Sequence, residues 1–288
     1  MDDVTIAIKT FERPDSLKGL LASIRQFYPS VPILVADDSK EPYGPGMARE
    51  FSNMECVTLP FDSGISIGRN AMLKRIKTKY FVLCDDDLLF YEETRLETFK
   101  DILVQNDIEL IGGVFMDKSE SGKFDKPNPY AGHLIMDSDR NLRLDFIKMD
   151  RDVTRCDIVH NFFMADTQAL LSKTGGWDPE FKVSEHTVFY WAAKKAGLKV
   201  AFTPGVRVNH TGARSTKYNY YRTRNNKYFL LFFKKLNLKS WTGAWGKVTP
   251  MDLRPKWYKF IFQQKCVPWF VTQKFSNLAL RLKKASGR

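Results

Sequence analysis

The sequence predicts an α/β fold in which helices flank a mostly parallel sheet, with a basic helical extension at the C-terminus. From residue 4 to residue 115, short apolar runs alternate with segments whose apolar residues recur at helical spacing. Such alternation implies crossover connections and a largely parallel sheet. Acidic residues directly follow two of the apolar runs, at 37–38 and 85–87. The C-terminal ends of parallel strands are where these folds bind ligands, so both acidic pieces are candidate site residues.

The first half of the chain supplies most of this sheet. Residues 4–10 predict a strand, and Pro14 fits the first turn of a helix. The apolar face of that helix consists of Leu17, Leu20, Leu21 and Ile24. Four further strands are predicted, at 31–36, 55–59, 80–84 and 108–115, and two further helices, at 66–77 and 92–104. Residues 40–54 favour a loop because they contain Pro42, Gly44, Pro45 and Gly46.

The second half departs from this alternation. Residues 130–149 predict a hairpin that turns at 139–141. Helices are predicted at 167–173, 185–196 and 220–236, and strands at 198–203 and 206–210. A loop near 243–255 and one or two amphipathic helices complete the chain. We therefore divide it into an α/β domain, residues 1–214, with halves 1–115 and 116–214, and a basic aromatic helical extension, residues 215–288.

Charge is distributed unevenly along the 288 residues. The extension 215–288 holds 17 Lys and Arg but one acid, a net charge of +16, whereas residues 1–214 carry a net charge of −4. Aromatic residues interleave with these bases, a composition that suits an anionic membrane surface or a nucleic acid. The composition alone leaves both partners open. In the alternative, the aromatics pack on the body and the charges are solvated.

The compartment is predicted from three absences. No stretch approaches about 20 consecutive apolar residues, which a spanning helix needs. The acidic start, Met1-Asp2-Asp3-Val4, is unlike a signal peptide. The four cysteines are widely spaced and match no zinc pattern, which favours reduced thiols. We expect a cytoplasmic protein that can lie peripherally at the inner face of a membrane.

Three consecutive carboxylates, Asp85, Asp86 and Asp87, follow an apolar strand. Like charges this close repel one another unless a cation offsets them. Mg²⁺ and Mn²⁺ prefer oxygen ligands, and Mg²⁺ often binds one or two carboxylates together with substrate phosphates. The triplet therefore favours a metal–phosphate site over a solvated acidic turn. The chain lacks both the G-x-x-x-x-G-K-[ST] and the G-x-G-x-x-G patterns, which disfavours a P-loop and a dinucleotide site.

Five motifs in order resemble the family 2 type of GT-A glycosyltransferases. They are Thr10-Phe11-Glu12-Arg13, Val35-Ala36-Asp37-Asp38-Ser39, Gly68-Arg69-Asn70, Asp85-Asp86-Asp87, and residues 175–181 with 184–186. Residues 160–165 are also similar to the β1,4-N-acetylgalactosaminyltransferase branch, the ganglioside GM2 synthase type. The resemblance covers roughly residues 4–212. It implies a GT-A, Rossmann-like fold, a UDP-sugar donor and a divalent metal, Mn²⁺ or Mg²⁺. For residues 215–288 it implies the membrane surface, with a nucleic acid the less favoured partner.

The resemblance also implies roles for individual residues. Thr10, Phe11 and Arg13 would line the uridine pocket. Asp38 would accept a hydrogen bond from the uracil N–H, and Arg69 would hold that side. One or two of the three aspartates would bind the metal on the diphosphate, with Asp85 and Asp87 as the D-x-D ligands and Asp86 on the donor side. His210 resembles the late histidine that completes the metal site in some such enzymes, although a lone histidine at a strand end is often structural.

The implied reaction is inverting: a carboxylate deprotonates the acceptor hydroxyl, which then attacks the anomeric carbon from the opposite face. The family usually has Glu-Asp where this chain has Glu185-His186. The base assignment is therefore open, with Glu185 the first choice and His186 the second. In the alternative, Glu185 only N-caps a helix and His186 faces solvent.

The predicted acceptor residues are Trp177, Asp178 and Asn161. Trp177 follows two glycines and precedes Asp178-Pro179, so we expect it in an exposed turn. There its ring would suit an acceptor sugar, with simple packing as the alternative. Asn161 lies in the stretch that resembles the N-acetylgalactosaminyltransferase branch.

The leading hypothesis is thus a metal-dependent transferase that moves a sugar from a UDP-sugar to a hydroxyl of a glycan or a lipid-linked saccharide. A sugar-1-phosphate nucleotidyltransferase is a second class, but it needs a glycine-rich basic loop after the first strand, where this chain has Thr10-Phe11-Glu12-Arg13-Pro14. A non-catalytic module that binds an anionic membrane or nucleic acid through 215–288 is a third.

Overall fold

The computed structural model describes residues 1–148, 152–212, 218, 221, 225–243 and 248–250. Fourteen strands lie in these residues: β1 Val4–Thr10, β2 Ile33–Asp37, β3 Met54–Thr58, β4 Tyr80–Asp85, β5 Leu88–Leu89, β6 Leu110–Asp117, β7 Lys126–Asn128, β8 Gly132–Met136, β9 Asn141–Phe146, β10 Thr154–Cys156, β11 Phe162–Asp166, β12 Val200–His210, β13 Ser240–Thr242 and β14 Val248–Pro250. Seven helices accompany them in the same residues: α1 Pro14–Phe27, α2 Gly44–Glu50, α3 Ile65–Leu73, α4 Leu96–Gln105, α5 Thr167–Thr174, α6 His186–Lys195 and α7 Asn225–Lys235.

The main sheet has the order β10-β12-β6-β11-β4-β1-β2-β3, with β5 paired to β12 and β7 to β6. Strands β4, β1, β2 and β3 run parallel to one another, as do β6 and β12. Strand β11 lies antiparallel between β4 and β6. The sheet is therefore mostly parallel where the acidic residues end their strands, as predicted.

Both faces of this sheet are covered. Every residue of β1 is buried, and its alternate side chains belong to two apolar clusters: Ile6 and Ile8 to one, Ala7 to the other. The predicted apolar face of α1 packs into the first cluster. A parallel strand buried on both faces reads as a nearly continuous apolar run, which is the pattern that residues 4–8 show.

A second, four-stranded sheet has the order β14-β13-β9-β8. Strands β8 and β9 form the predicted hairpin, with Gly132 opposite Phe146. Strand β13 runs parallel to β9, with Ser240 opposite Asn141, and Phe232 and Phe233 of α7 are buried. The described part of the basic extension therefore packs on the rest of the chain, which was the alternative to a membrane contact for these aromatics. The boundary at 214 stays a prediction.

Several predicted elements need correction. Residues 40–54 were predicted as a loop because of their prolines and glycines, but they contain α2. The Asp37 carboxylate accepts hydrogen bonds from the N–H groups of Tyr43 and Gly44 at the start of α2, at 2.9 Å each. The two strands predicted at 198–203 and 206–210 are one strand, β12, with an irregularity between Phe202 and Arg207. The loop near 243–255 contains β14, and strands β5, β7, β10, β11 and β13 were not predicted. The amphipathic helices beyond 255 lie outside the described residues.

Within the part of the chain that the structure describes, Cys56, Cys84 and Cys156 form no disulfide; the prediction of reduced thiols stays a prediction. None of the helices in the described ranges combines the length and apolar character that crossing a bilayer requires.

Candidate active site

Three parallel strands bring the candidate residues to one edge of the sheet. Strands β1, β2 and β4 end at Thr10, Asp37 and Asp85, and these ends lie side by side. A cavity of about 410 Å³ opens at this edge. Ten of the predicted site residues line it: Thr10, Phe11, Arg13, Asp38, Asp85, Asp87, Asn161, Glu185, His186 and His210. The strand ends thus converge as the sequence predicted.

One side of the cavity is built around Asp38, which is 1% exposed. Its Oδ2 atom accepts the backbone N–H of Gly64 at 2.7 Å, and its Oδ1 atom is paired with Lys9 Nζ. The ring of Phe11 lies nearby, with Lys9 Nζ 5.8 Å from its centroid. A carboxylate beside an aromatic ring is an arrangement that can hold a nucleobase by its edge and its face.

The acidic triplet divides between the cavity and the interior. Asp85 and Asp87 line the cavity, whereas Asp86 is fully buried and accepts from Thr10 Oγ1 at 2.7 Å. Arg13 pairs with both Asp86 and Asp87, at 2.8 Å for Asp87 Oδ2. Burial raises the pKa of Asp86, although the charge of Arg13 opposes the shift. Asp86 therefore lies behind the cavity wall, where it holds Arg13 in place.

His210 lies at the end of β12, beside Asp87. Its Nδ1 atom is 2.6 Å from Asp117 Oδ1, and its Nε2 atom is 3.7 Å from Asp87 Oδ2. Burial alone would lower the pKa of His210, but the neighbouring carboxylates of Asp87 and Asp117 outweigh it and raise that pKa to about 8. A carboxylate on one ring nitrogen orients the other, as in many metal-binding histidines.

Among the described residues, no group of three or more histidine, cysteine, aspartate or glutamate side chains is already arranged to hold a metal ion. The predicted ligands Asp85, Asp87 and His210 nevertheless line the same cavity. Carboxylates and water suit Mg²⁺ and Mn²⁺, and phosphate oxygens can complete their coordination. The donor types at this edge therefore fit such an ion, and the metal stays a prediction.

Arg69 joins two carboxylates of the cavity, Glu185 and Asp85. It is 1% exposed; its Nη1 atom donates to Glu185 Oε1 at 2.7 Å and its Nη2 atom to Asp85 Oδ1 at 3.2 Å. Its guanidinium carbon lies 5.4 Å from the ring centroid of Trp177. Arg69 does not itself line the cavity. Its predicted role on the uridine side stays a prediction.

Glu185 directly precedes α6 and His186 is its first residue, and both line the cavity. Glu185 occupies the N-cap position, but its side chain makes no capping bond and pairs with Arg69 instead. His186 Nδ1 is 3.0 Å from Asn161 Oδ1, and Asn161 Nδ2 donates to Asp85 Oδ2 at 3.3 Å. Burial lowers the pKa of His186 to about 3. The alternative in which Glu185 only caps the helix and His186 faces solvent does not describe these contacts.

A family model described as "Glycosyl transferase family 2" matches residues 5–166, which include β1, β2, β4 and the acidic triplet. The chain belongs to glycosyl transferase family 2. Mouse beta-1,4 N-acetylgalactosaminyltransferase 2 is 35% identical over 72% of this chain. Human beta-1,4 N-acetylgalactosaminyltransferase 1 is 32% identical, also over 72%. The chain spans 39% and 38% of these two relatives.

Solved structures of S. aureus TarS share the fold of this family 2 chain. The TarS 1–349 complex with UDP-GlcNAc has a TM-score of 0.58 and 13% identity, and the match covers 80% of this chain and 67% of that one. The TarS 1–349 complex with UDP has a TM-score of 0.56 and 14% identity, over 80% and 66%. The predicted GT-A, Rossmann-like fold is thereby confirmed.

Two predicted acceptor residues lie away from the cavity of this family 2 domain. Trp177 is 3% exposed and stacks on Phe189, with ring centroids 4.5 Å apart and planes at 16°. The expectation of an exposed turn is therefore wrong, because the ring fills the space between α6 and Arg69. Asp178 bonds to Lys235 Nζ at 2.6 Å and to the N–H of Glu180 at 3.0 Å. The acceptor roles of both residues stay predictions.

Sequence reasoning missed Lys9, Asp62, Lys182 and Ser184, which also line the cavity. Lys9 carried a visible signal, because it interrupts an otherwise apolar strand one residue before Thr10. Ser184 precedes Glu185 and has φ = +63°, a left-handed conformation that non-glycine residues seldom adopt. Only the folded chain brings Lys182 against Asp62, at 3.2 Å.

Proposed function

We propose that this chain is an inverting, metal-dependent glycosyltransferase that moves a sugar from a UDP-sugar to a hydroxyl of a glycan or glycolipid acceptor. One observation carries the proposal. Glu185, held by Arg69, lines the same cavity as Asp85, Asp87 and Asp38. A carboxylate that can act as a base, two carboxylates that can bind a metal ion, and Asp38, which can accept a hydrogen bond from a nucleobase, thus share one site.

The donor half of the reaction follows from the side of the cavity that contains Asp38 and Phe11. Asp38 accepts from the uracil N3–H, and Phe11 offers an aromatic face to the base. A bound Mn²⁺ or Mg²⁺, held by Asp85, Asp87 and His210, would neutralise the charge that develops on the departing UDP. Arg13 pairs with Asp87 and Asp86, so it fixes the orientation of the metal-side carboxylate.

The acceptor half depends on Glu185. Its carboxylate takes the proton of the acceptor hydroxyl, and the oxygen attacks the anomeric carbon on the face opposite the departing UDP. The guanidinium of Arg69 donates to Glu185 Oε1 and so sets the orientation of the carboxylate. Burial lowers the pKa of His186 to about 3, so this imidazole loses the advantage that a histidine ordinarily has as a base near neutral pH. A base works best when its pKa lies near the operating pH.

The names of the relatives support one class of donor sugar. Two of them are named β-1,4 N-acetylgalactosaminyltransferases, and a TarS structure contains UDP-GlcNAc. We therefore propose an N-acetylhexosamine donor. Nothing in the described contacts favours a sugar-1-phosphate nucleotidyltransferase or a non-catalytic binding module. The contact of 215–288 with an anionic membrane and a peripheral location stay predictions.

The test is a donor panel with the purified chain. UDP-GalNAc, UDP-GlcNAc, UDP-galactose and UDP-glucose are each incubated with MnCl₂ or with EDTA, and with a panel of glycan and glycolipid acceptors. We expect Mn²⁺-dependent transfer from a UDP-N-acetylhexosamine, and a product whose anomeric configuration, measured by NMR, is opposite to that of the donor. Retained configuration, or transfer that EDTA leaves unchanged, would contradict the corresponding part of the proposal.

A further inference from the structure

A charged pair lies in the wall of the cavity where the sequence predicted only Asp38. Lys9 is 7% exposed and Asp38 1% exposed, and both line the cavity. Replacing a buried ion pair by apolar residues is often neutral or even stabilising, so stability alone gives little reason for such a pair. Its place at the cavity, beside Phe11, indicates a role in binding.

The surrounding backbone is shaped to hold this pair. A Cβ atom at position 68 would lie 2.2 Å from Lys9 Cδ, so only glycine leaves room for the lysine side chain beside α3. The N–H of Gly64 donates to Asp38 Oδ2 at 2.7 Å and fixes the carboxylate. Gly68 in α3 therefore makes room for Lys9, and the backbone at Gly64, the N-cap of α3, fixes Asp38.

Lys9 retains a hydrogen-bond donor. An ammonium has three N–H donors and no acceptor. Lys9 Nζ donates to the carbonyl of Thr10 at 2.6 Å and to Asp38 Oδ1. These are its two acceptors among the described residues, which leaves a third N–H in the cavity wall, next to the carboxylate.

We propose that Lys9 and Asp38 form a donor–acceptor pair that selects uracil over cytosine, with Lys9 as a specificity-determining residue. In uracil the N3–H donor is flanked by two carbonyl oxygens. When N3–H donates to Asp38, one of those oxygens accepts from Lys9, whichever way the base is turned. Cytosine has a lone pair at N3, which faces Asp38 unfavourably, and an amino group in place of one carbonyl. This inference rests on the proposed UDP-sugar function and adds how the base is recognised.

The test is isothermal titration calorimetry of the full chain with UDP and with CDP, in MnCl₂. The wild-type chain should bind UDP at least about tenfold more tightly than CDP. Lys9→Met should weaken UDP binding by about 10- to 100-fold, the effect of losing one hydrogen bond to a charged donor, and should weaken CDP binding much less. The matched control is Lys182→Met, a second lysine of the same cavity, which should change UDP and CDP binding by similar factors.

A second series needs no variant, since Lys9→Met leaves Asp38 buried without its partner and the chain could then fail to fold. UDP analogues with sulfur in place of the O2 or the O4 oxygen of uracil keep N3–H but weaken one acceptor. One of the two should bind the wild-type chain about tenfold or more weakly than UDP, and a folded Lys9→Met chain should not distinguish it from UDP.

The outcomes separate the two proposals. The role of Lys9 is overturned if the wild-type chain binds UDP and both thio analogues equally well. It is also overturned if a folded Lys9→Met chain keeps the wild-type ratio of UDP to CDP affinity. Either result leaves the transferase proposal intact. If the wild-type chain binds neither nucleotide, the UDP-sugar proposal itself fails, and the role of Lys9 fails with it.

Discussion

Arg69 donates to Glu185 at 2.7 Å, and the same guanidinium reaches Asp85 at 3.2 Å. The candidate base and the first residue of the acidic triplet are therefore held by one cation that is 1% exposed. Arg69 comes from α3 and Glu185 from the start of α6, 116 residues later in the chain. This contact ties the acceptor half of the site to the metal half, so Arg69 is a positioning residue for both.

Arg69→Met should destabilise the fold strongly. Removing one partner of a buried ion pair leaves an uncompensated charge, and the usual cost is about 3–5 kcal/mol. Here two carboxylates, Glu185 and Asp85, lose their partner together. Urea denaturation measures the change in the free energy of unfolding. The control is Arg75→Met. Arg75 forms an Arg–Glu pair with Glu55 at 2.9 Å, but the two side chains are 50% and 65% exposed. That change should cost at most about 1 kcal/mol, and similar losses in both variants would contradict a buried structural role for Arg69.

Glu185→Gln should abolish most transfer while leaving UDP binding unchanged. The amide keeps the size of the side chain but cannot take a proton, and a general base contributes about 10²- to 10⁴-fold to the rate. His186→Gln, at the next position, should lower kcat far less, since burial keeps that histidine a weak base. The measurement compares kcat of both variants with their affinity for UDP. A larger loss of kcat in His186→Gln than in Glu185→Gln would reverse the assignment of the base.

Much of the site was predictable because the C-terminal ends of parallel strands lie at the same edge of a sheet. The run 4–10, the triplet 85–87 and the pair at 37–38 are local signals, and all three strand ends meet as expected. The partners of these residues were not predictable, since they depend on long-range packing. Arg69 finds Glu185 across 116 residues, and Trp177 is buried because α6 covers it. Strand β11 was missed because its run Phe162-Phe163-Met164-Ala165 is short, and only its neighbours β4 and β6 make it a strand.

Substitutions within the acidic triplet should differ in their effect on metal binding. Asp85 and Asp87 line the cavity, whereas Asp86 is buried behind it. Asp87→Asn should therefore remove the Mn²⁺-dependent part of the stabilisation that UDP gives to thermal unfolding. Asp86→Asn should lower the melting temperature of the chain without ligand, because Arg13 loses a buried partner, yet it should retain the difference between UDP with and without Mn²⁺. An equal Mn²⁺ response in Asp87→Asn and wild type would exclude Asp87 as a ligand.

Stability should fall as the pH falls below about 6.5, in part because of His160. Its ring stacks on Phe115 with centroids 3.9 Å apart, and Nε2 lies 2.8 Å from the carbonyl oxygen of Asn128. Burial, with smaller contributions from His186 and His210, lowers its pKa to about 3, although the carbonyl of Asn128 and the charge of Asp117 oppose the shift. Between pH 6.5 and 3 the unfolded chain therefore binds a proton that the native chain does not. The free energy of unfolding then decreases with falling pH, by up to about 1.4 kcal/mol per pH unit from this residue.

His160→Gln should remove that contribution. Urea denaturation of the variant between pH 7.5 and 5 should give a shallower dependence of the free energy of unfolding on pH than the wild-type chain gives. The matched control is Phe162→Leu, a change at a fully buried side chain that carries no titratable group, so this variant should lose stability but keep the wild-type slope. The absolute stability of His160→Gln will also be lower at every pH, because the stacked ring is lost; the slope, not the offset, reports the proton. A wild-type slope in the His160→Gln chain would mean that His160 titrates alike in the folded and unfolded states, despite its burial against Phe115.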